Sequence, residues 1–480
     1  MILILLLILP FLASLTLFTG KLGNHSRNFA LISSMVIFVI SVVVGYAFTF
    51  ADDKILSLDL DLEKLLNIQI ILKADAISMV LVMLTTLLVP IIITSTSRKE
   101  NRTHNFYALI LLMEMALIGV FTSSEMILFY IFWELALMPV FFITAIWGGE
   151  NKKKITVKFL IYTLFGSFAM LIAILYLYTL TPHPHSFSFE SFYQLHLPYS
   201  VQVPVFLAFF LAFAIKIPLF PFHSWQADTY NTSPVQGTML MAGIMLKMGL
   251  YGIIRFLLPI TPDVVAGGSL IFLPLILFGV IYGAIIAIRQ PNLKKLIAFA
   301  SLSHVGIIAL GLLSNNHYGI EGGILQMFSH GVNVVGFFLC YYMIVKRTNT
   351  DRIADLGGIA SVAPRFALVF LIVVMANVAL PLTNSFVGEF LILLGLFQFN
   401  KVMAIIAGLT IILGAVYMLN MYKKVMFGPQ TKATEEFEDL SIREMLLFVP
   451  IVISIFWAGI SPSFALQMIE GVVKSLITNH

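Results

Sequence analysis

The sequence predicts an all-α, polytopic membrane protein of about 14 transmembrane helices, and three observations carry that prediction. The 480 residues are 60% hydrophobic and 11% charged, with a mean hydropathy of +0.99, whereas soluble domains carry roughly 25% charged residues. Apolar windows of bilayer-spanning length, about 20 residues, recur along the whole chain. Lysine and arginine gather in alternate connecting segments, as the positive-inside rule requires.

The windows fall at 1–19, 28–50, 74–96, 104–122, 126–147, 156–180, 201–222, 235–258, 268–288, 293–313, 320–345, 365–398, 402–426 and 443–460. Met1–Pro10 opens on apolar residues without a basic leader, so it reads as a retained first span. The 365–398 window is long and contains Pro381-Leu-Thr-Asn-Ser, which makes it one broken helix. With both termini outward, the inward segments hold Lys21 and Arg27; Arg98, Lys99 and Arg102; Lys152, Lys153, Lys154 and Lys158; Arg289, Lys294 and Lys295; Lys346, Arg347, Arg352 and Arg365; and Lys423, Lys424, Lys432 and Arg443. The outward side keeps only Lys54, Lys64, Lys73, Arg255, Lys401 and Lys474. A wrong span count would have scrambled this asymmetry.

The connecting segments say less. Residues 51–73 are acidic through Asp52, Asp53, Asp59, Asp61 and Glu63. Residues 181–200 carry His183, His185 and His196, but Pro182 and Pro184 fragment the stretch and no metal-ligand spacing repeats, so it reads as a solvated loop. Residues 428–444 mix both charge signs as a cytoplasmic loop does, and 461–480 form an amphipathic tail too polar to span. The single Cys340 excludes an internal disulfide and any all-cysteine cluster. No glycine-rich phosphate loop follows a strand pattern, and neither nucleotide chemistry nor a nucleic-acid partner is expected.

Function is legible in the charges kept inside the spans. Lys216 lies in the run 212–222, Ala-Phe-Ala-Ile-Lys-Ile-Pro-Leu-Phe-Pro-Phe. A lysine at mid-membrane costs at least about 2.5–3.5 kcal/mol, and Pro218 and Pro221 break the helix beside it. Glu114, Glu134, Lys247, His304, His330 and Glu389 share its depth. Each has a plainer reading: Glu134 and Lys216 as a structural ion pair, His304 and His330 as hydrogen-bonded packing residues, Glu114 as a partner or packing acid. As a set of titratable groups on successive spans, they suggest a proton relay. Burial brings lysine and carboxyl proton affinities towards each other, and histidine titrates near neutrality unaided.

Two broken helices, near 216–222 and 380–389, stand roughly five spans apart, each with an ionisable residue beside proline. Five is odd, so the halves they belong to would be inverted, as in many transporters. This divides a single membrane domain into 104–258 and 268–426, with 1–96 and 427–480 flanking them.

At these residues the sequence resembles a known family. Phe-Trp-Glu-Leu-Ala-Leu-Met-Pro (132–139), Ala-Ile-Lys-Ile-Pro-Leu-Phe-Pro-Phe-His-Ser-Trp (214–225), Leu-Lys-Met-Gly-Leu-Tyr-Gly (246–252), Ser-Leu-Ser-His-Val-Gly (301–306) and Gln-Met-Phe-Ser-His-Gly (326–331) are similar to the antiporter-like membrane subunits of respiratory complex I. The large subunits of multi-subunit sodium/proton antiporters share those motifs. Glutamate rather than lysine in Phe-Val-Gly-Glu-Phe (386–390), and the lack of a long lateral helix after the last span, narrow the resemblance to the subunit M branch. The resemblance implies 14 helices with two inverted five-helix repeats. It carries Glu134 and Lys216 over as the first half-channel pair, Lys247 as the connecting lysine, His304 and His330 as relay histidines and Glu389 as the second exchanger. Pro381-Leu-Thr-Asn-Ser departs from the family's usual glycine-rich break.

The expectation is therefore a proton-translocating membrane subunit of an NADH:quinone oxidoreductase in a bacterial cytoplasmic membrane. No cofactor is expected on this chain; flavin, iron–sulfur clusters and quinone belong to partner subunits. The partners expected are the other membrane subunits, above all two sister antiporter-like chains, together with lipids. The alternatives are a sodium/proton antiporter subunit and a structural membrane scaffold.

Overall fold

A computed structural model of the chain describes residues 2–49, 56–61, 69–96 and 103–478. Asp52, Asp53, Lys54, Glu63, Lys64, Arg98, Lys99 and Arg102, named above for their charge, lie outside the described residues. Among the described residues, 12 helices are long and apolar enough to cross a membrane, and three shorter apolar helices accompany them.

In chain order the helices are α1 (Ile2–Phe18), α2 (Ser26–Thr49), α3 (Ala76–Ser95), α4 (His104–Thr122), α5 (Met126–Leu135), α6 (Leu137–Trp147), α7 (Lys152–Leu180), α8 (Phe189–Tyr193), α9 (Tyr199–Lys216), α10 (Gln226–Thr232), α11 (Val235–Ile260), α12 (Pro262–Ile288), α13 (Leu293–Leu313), α14 (His317–Thr348), α15 (Pro364–Asn377), α16 (Asn384–Phe399), α17 (Lys401–Phe427), α18 (Ile442–Ile460) and α19 (Ser463–Thr478). Between α2 and α3 lies a hairpin, β1 (Leu56–Asp61) and β2 (Gln69–Ala74), antiparallel with Leu56 opposite Ala74. Leu-Ser-Leu-Asp-Leu-Asp in β1 alternates apolar and polar residues as a half-buried strand does.

Proline alone does not decide where a helix stops. Pro10, Pro90, Pro204, Pro274 and Pro450 sit inside continuous helices. Three interruptions of predicted spans do occur, the first two beside an ionisable residue and the third less than two turns before Glu389. The predicted 126–147 span is interrupted at Ala136, where Pro139 has no N–H to donate to the Leu135 carbonyl four residues back. The predicted 201–222 span ends at Lys216 and continues as turns to α10. The 365–398 window divides into α15 and α16.

The chain forms two compact units. The first comprises Met1–Lys216, Ile244–Gly267 and Lys474–His480, and the second comprises Ile217–Gly243 and Gly268–Val473. In the first unit a Cβ on Gly166 would lie 3.0 Å from the Ala212 Cα, so α7 and α9 pack backbone to backbone. Phe129, Trp133, Phe209, Phe213 and Phe256 pack beside that contact in stacked and edge-to-face pairs. In the second unit α14 and α16 meet through facing glycines. A Cβ on Gly322 would lie 2.8 Å from the Gly388 carbonyl oxygen, and one on Gly395 2.5 Å from the Gly319 nitrogen. Small residues that admit a neighbouring backbone are how helices associate where lipid offers no hydrophobic drive.

Candidate proton-relay site

In the first unit, α9 ends on Lys216, where the C-terminal carbonyls of a helix favour a cation. The side chain is 2% exposed, and its Nζ has no hydrogen-bond partner among the described residues. It lies 4.8 Å from the centre of the Trp133 ring, a cation–π contact worth up to about 2 kcal/mol when desolvated. The Trp133 indole N–H donates to Ser167 Oγ at 3.1 Å, which fixes the ring face. Glu134, half-buried on the next residue, is the charge that acts on Lys216. Its Oε1 has no hydrogen-bond partner among the described residues. The two approach each other without forming a bonded pair.

Glu114, in the middle of α4, is fully buried, and neither carboxyl oxygen has a hydrogen-bond partner among the described residues. Lys247 is fully buried in α11, between two π-helical stretches, Met241–Met245 and Ile253–Leu257. Such widened turns are frequent at functional sites, and nothing in the local sequence marks them.

One turn beyond Lys247, the Tyr251 hydroxyl donates to the Phe121 carbonyl at 3.1 Å and lies 3.2 Å from Ser78 Oγ. Arg255, a turn further, pairs with Asp75 at the N-terminus of α3. Burial pushes the Asp75 carboxyl up, but the Arg255 guanidinium and the Ser78 N–H outweigh it and hold it below the usual carboxylate value. Asp75, Ser78, Tyr251 and Arg255 line a cavity of about 190 Å³.

In the second unit, Glu389 (8% exposed) sits on α16 less than two turns after the break. Its Oε1 accepts from Gln326 Nε2 at 3.0 Å and lies 3.1 Å from His304 Nδ1. The His304 and His330 rings are 6.2 Å apart, and His330 Nε2 lies 3.0 Å from Ser301 Oγ. His304, His330 and Glu389 are therefore one cluster, and Gln326 joins it. Asn333 Nδ2 reaches Asn384 Oδ1 at 3.0 Å, Ser385 Oγ at 2.9 Å and the Ala376 carbonyl at 3.3 Å, and Asn384 Nδ2 donates back to Asn333 Oδ1. Ser329 Oγ donates to the Asn384 carbonyl at 3.1 Å. The glycine-poor break is thus bridged from α14, which satisfies backbone and side-chain groups that lipid would leave stranded.

One of the inward-assigned cations is buried rather than solvated. Lys294, read above as an inward loop residue, is 5% exposed, and its Nζ donates to the carbonyls of Asn231 at 3.1 Å and Ser233 at 2.6 Å. It closes the C-terminal end of α10, a contact between segments that sequence alone does not bring together.

Residues 123–426 match the family described as NADH:quinone oxidoreductase/Mrp antiporter, TM. The NADH-quinone oxidoreductase subunit M of Rhodobacter capsulatus is 35% identical over 468 residues, 95% of this chain and 91% of that one. A chain of respiratory complex I from Thermus thermophilus with bound NADH superposes with a TM-score of 0.91 at 28% identity, over 100% of this chain and 99% of that one. A chain of the Mrp complex from a Dietzia species superposes with a TM-score of 0.86 over 98% of this chain and 97% of that one, and at 17% identity it shares the fold.

Proposed function

Because the chain belongs to the NADH:quinone oxidoreductase/Mrp antiporter family of membrane subunits, we propose that it is the subunit M-type, proton-translocating member of an NADH:quinone oxidoreductase. It works in a bacterial cytoplasmic membrane with its basic segments inward and both termini outward. Its neighbours are the complex's other membrane subunits, the two sister antiporter-like chains among them. Flavin, iron–sulfur clusters and quinone reside on partner subunits, and this chain supplies no redox centre.

The observation that carries this reading is Lys216, kept almost fully buried at a helix end without a hydrogen bond among the described residues, next to a Glu134 it does not pair with. A finished structural ion pair would have both groups bonded. An unbonded pair leaves the lysine's charge dependent on how near Glu134 comes, so a small change in separation switches it between holding and releasing a proton. In the second unit, the His304–Glu389 contact gives a direct transfer: the proton leaves His304 Nδ1, joins Glu389 Oε1, and the pair goes from imidazolium and carboxylate to imidazole and carboxylic acid.

The relay assigned here runs Glu134, Lys216, Lys247, His304 with His330, Glu389. Residues 104–258 and 268–426 are the two inverted repeats, a division supported by the broken helices at Lys216 and between α15 and α16. The test is Glu389→Gln in the intact complex reconstituted into vesicles. NADH-driven proton uptake should fall while NADH oxidation by an artificial electron acceptor stays at the parent rate. Parent-level proton uptake would overturn the assignment, and sodium uptake without NADH-driven proton movement would replace it with the antiporter reading.

A further inference from the structure

Two cavities in the second unit share one wall. The larger, about 450 Å³, is lined by Arg289, Gln290, Arg352, Asn420, Lys424 and Tyr417. The smaller, about 10 Å³, is lined by Ser303, His304, Glu389, Thr410 and Tyr417. That is room for about one water among polar groups that can hold it. Tyr417 is 2% exposed and lines both.

Helix α17 explains the alignment. Thr410, Gly414, Tyr417, Met421, Lys424 and Gly428 line the two cavities in turn, and their alternating spacing of four and three residues puts them on one face. The stripe climbs about 1.5 Å per residue from the Glu389 pocket to the Lys/Arg-rich end. On α13, Leu296 faces the larger cavity while Ser303, His304 and Ile307 face the smaller. Tyrosine side chains on helices lean towards the N-terminus, and a Cβ on Gly414 would lie 3.7 Å from Tyr417 Oη. The hydroxyl therefore leans towards the Glu389 pocket, near enough for Glu389 to act on it electrostatically.

We propose that Tyr417 passes protons between the Lys/Arg-rich face of the membrane and Glu389, the larger cavity serving as the aqueous access. The proposal rests on Glu389 being a proton carrier. A phenol both donates and accepts. Its O–H proton moves towards the Glu389 carboxylate through the intervening water, and a proton from the larger cavity replaces it. Glu389 ends as the acid and Tyr417 is unchanged. Arg289 and Lys424 are exposed, and Arg352 lies 3.9 Å from Asp355. Their repulsion is screened within about 8 Å at physiological salt, so the mouth disfavours a hydrated metal cation that must pass it more than a proton relayed along hydrogen bonds.

The test uses the intact complex in vesicles. Tyr417→Phe keeps the ring and its packing and removes only the hydroxyl. NADH-driven proton uptake should fall by at least about tenfold, a modest loss for a positioned proton-transfer group, with NADH oxidation by an artificial acceptor unchanged. Asn420→Cys adds a thiol in the larger cavity. A membrane-impermeant thiol reagent applied from the Lys/Arg-rich face should block proton uptake, while the same reagent from the opposite face, or on the parent complex, should not. This second variant decides the matter if Tyr417→Phe fails to assemble. Parent-rate pumping by Tyr417→Phe, or no block of Asn420→Cys from the Lys/Arg-rich face, overturns the route. If Glu389→Gln stops pumping in those same preparations, only the route is lost; if it also pumps normally, the carrier reading fails too.

Discussion

Gly322→Ala tests how the Glu389 pocket is held together. A Cβ at Gly322 would lie 2.7 Å from the Ile392 nitrogen and 2.8 Å from the Gly388 carbonyl oxygen, both backbone atoms that no rotamer change can move. Reaching an ordinary 3.4 Å contact requires α14 and α16 to part by about 0.7 Å. Gln326 stands one turn further along α14, and its 3.0 Å bond to Glu389 would stretch to about 3.7 Å, beyond hydrogen-bond range. Overpacking of this kind costs about 1–3 kcal/mol, and losing a hydrogen bond to a charged group adds about 1.5–3 kcal/mol. The assay is thermal unfolding of the purified complex together with NADH-driven proton uptake, and both should fall. Gly408→Ala on α17 is the control: nothing lies within 4 Å of its Cβ, so replacing a helical glycine there should stabilise by about 0.8–1 kcal/mol. Equal behaviour of the two variants would refute the close-packing argument.

Three further outcomes follow from other contacts. Asn333→Ala strands the Asn384 and Ser385 side chains at the α15–α16 break, at about 1–3 kcal/mol for each unsatisfied partner. Lowered thermal stability and proton uptake, with NADH oxidation by an artificial acceptor retained, would show it. Lys294→Met removes two charged hydrogen bonds from the end of α10 and should reduce the yield of assembled complex, measured by membrane immunoblot. Asp75→Asn removes a carboxylate whose folded proton affinity lies below its ordinary value of 3.8. Its stabilisation is complete above the unfolded pKa and is lost only as pH falls through the lower folded one. The deficit in unfolding temperature should therefore stay constant between about pH 7 and pH 5 and start to close only near pH 4.

The spans were legible because lipid leaves backbone groups nowhere to bond except within the helix, so an apolar run of sufficient length is enough to specify one. The 104–122 and 293–313 windows coincide with α4 and α13 to the residue. The end at Lys216 was marked by local chemistry, Pro218 and Pro221 beside an ionisable group, and the end at Asn377 by Pro381 before the small polar residues Thr383, Asn384 and Ser385. The hairpin at Leu56–Ala74 went unread because six-residue strands in a polar connection leave a faint signal. Gln326, Asn333 and Lys294 were missed for a different reason. Their partners are 63, 51 and 61–63 residues away in the chain, and nothing in their own windows names those partners. The π-helical turns flanking Lys247 carry no signal in the sequence, where Leu-Lys-Met-Gly reads as ordinary helix. Glu114, which the sequence offers as a partner or packing acid, stands fully buried without a hydrogen bond among the described residues, a costly arrangement for a polar group.

Lys216→Arg separates a proton carrier from a structural cation more directly than any deletion. Arginine keeps the positive charge beside Glu134 and Trp133 but does not give up its proton in proteins. In vesicles carrying the assembled complex, proton uptake driven by NADH and quinone should collapse while electron transfer from NADH to an artificial acceptor persists. Proton uptake at the parent rate would mean that Lys216 serves only as a fixed charge, contradicting its role as a carrier.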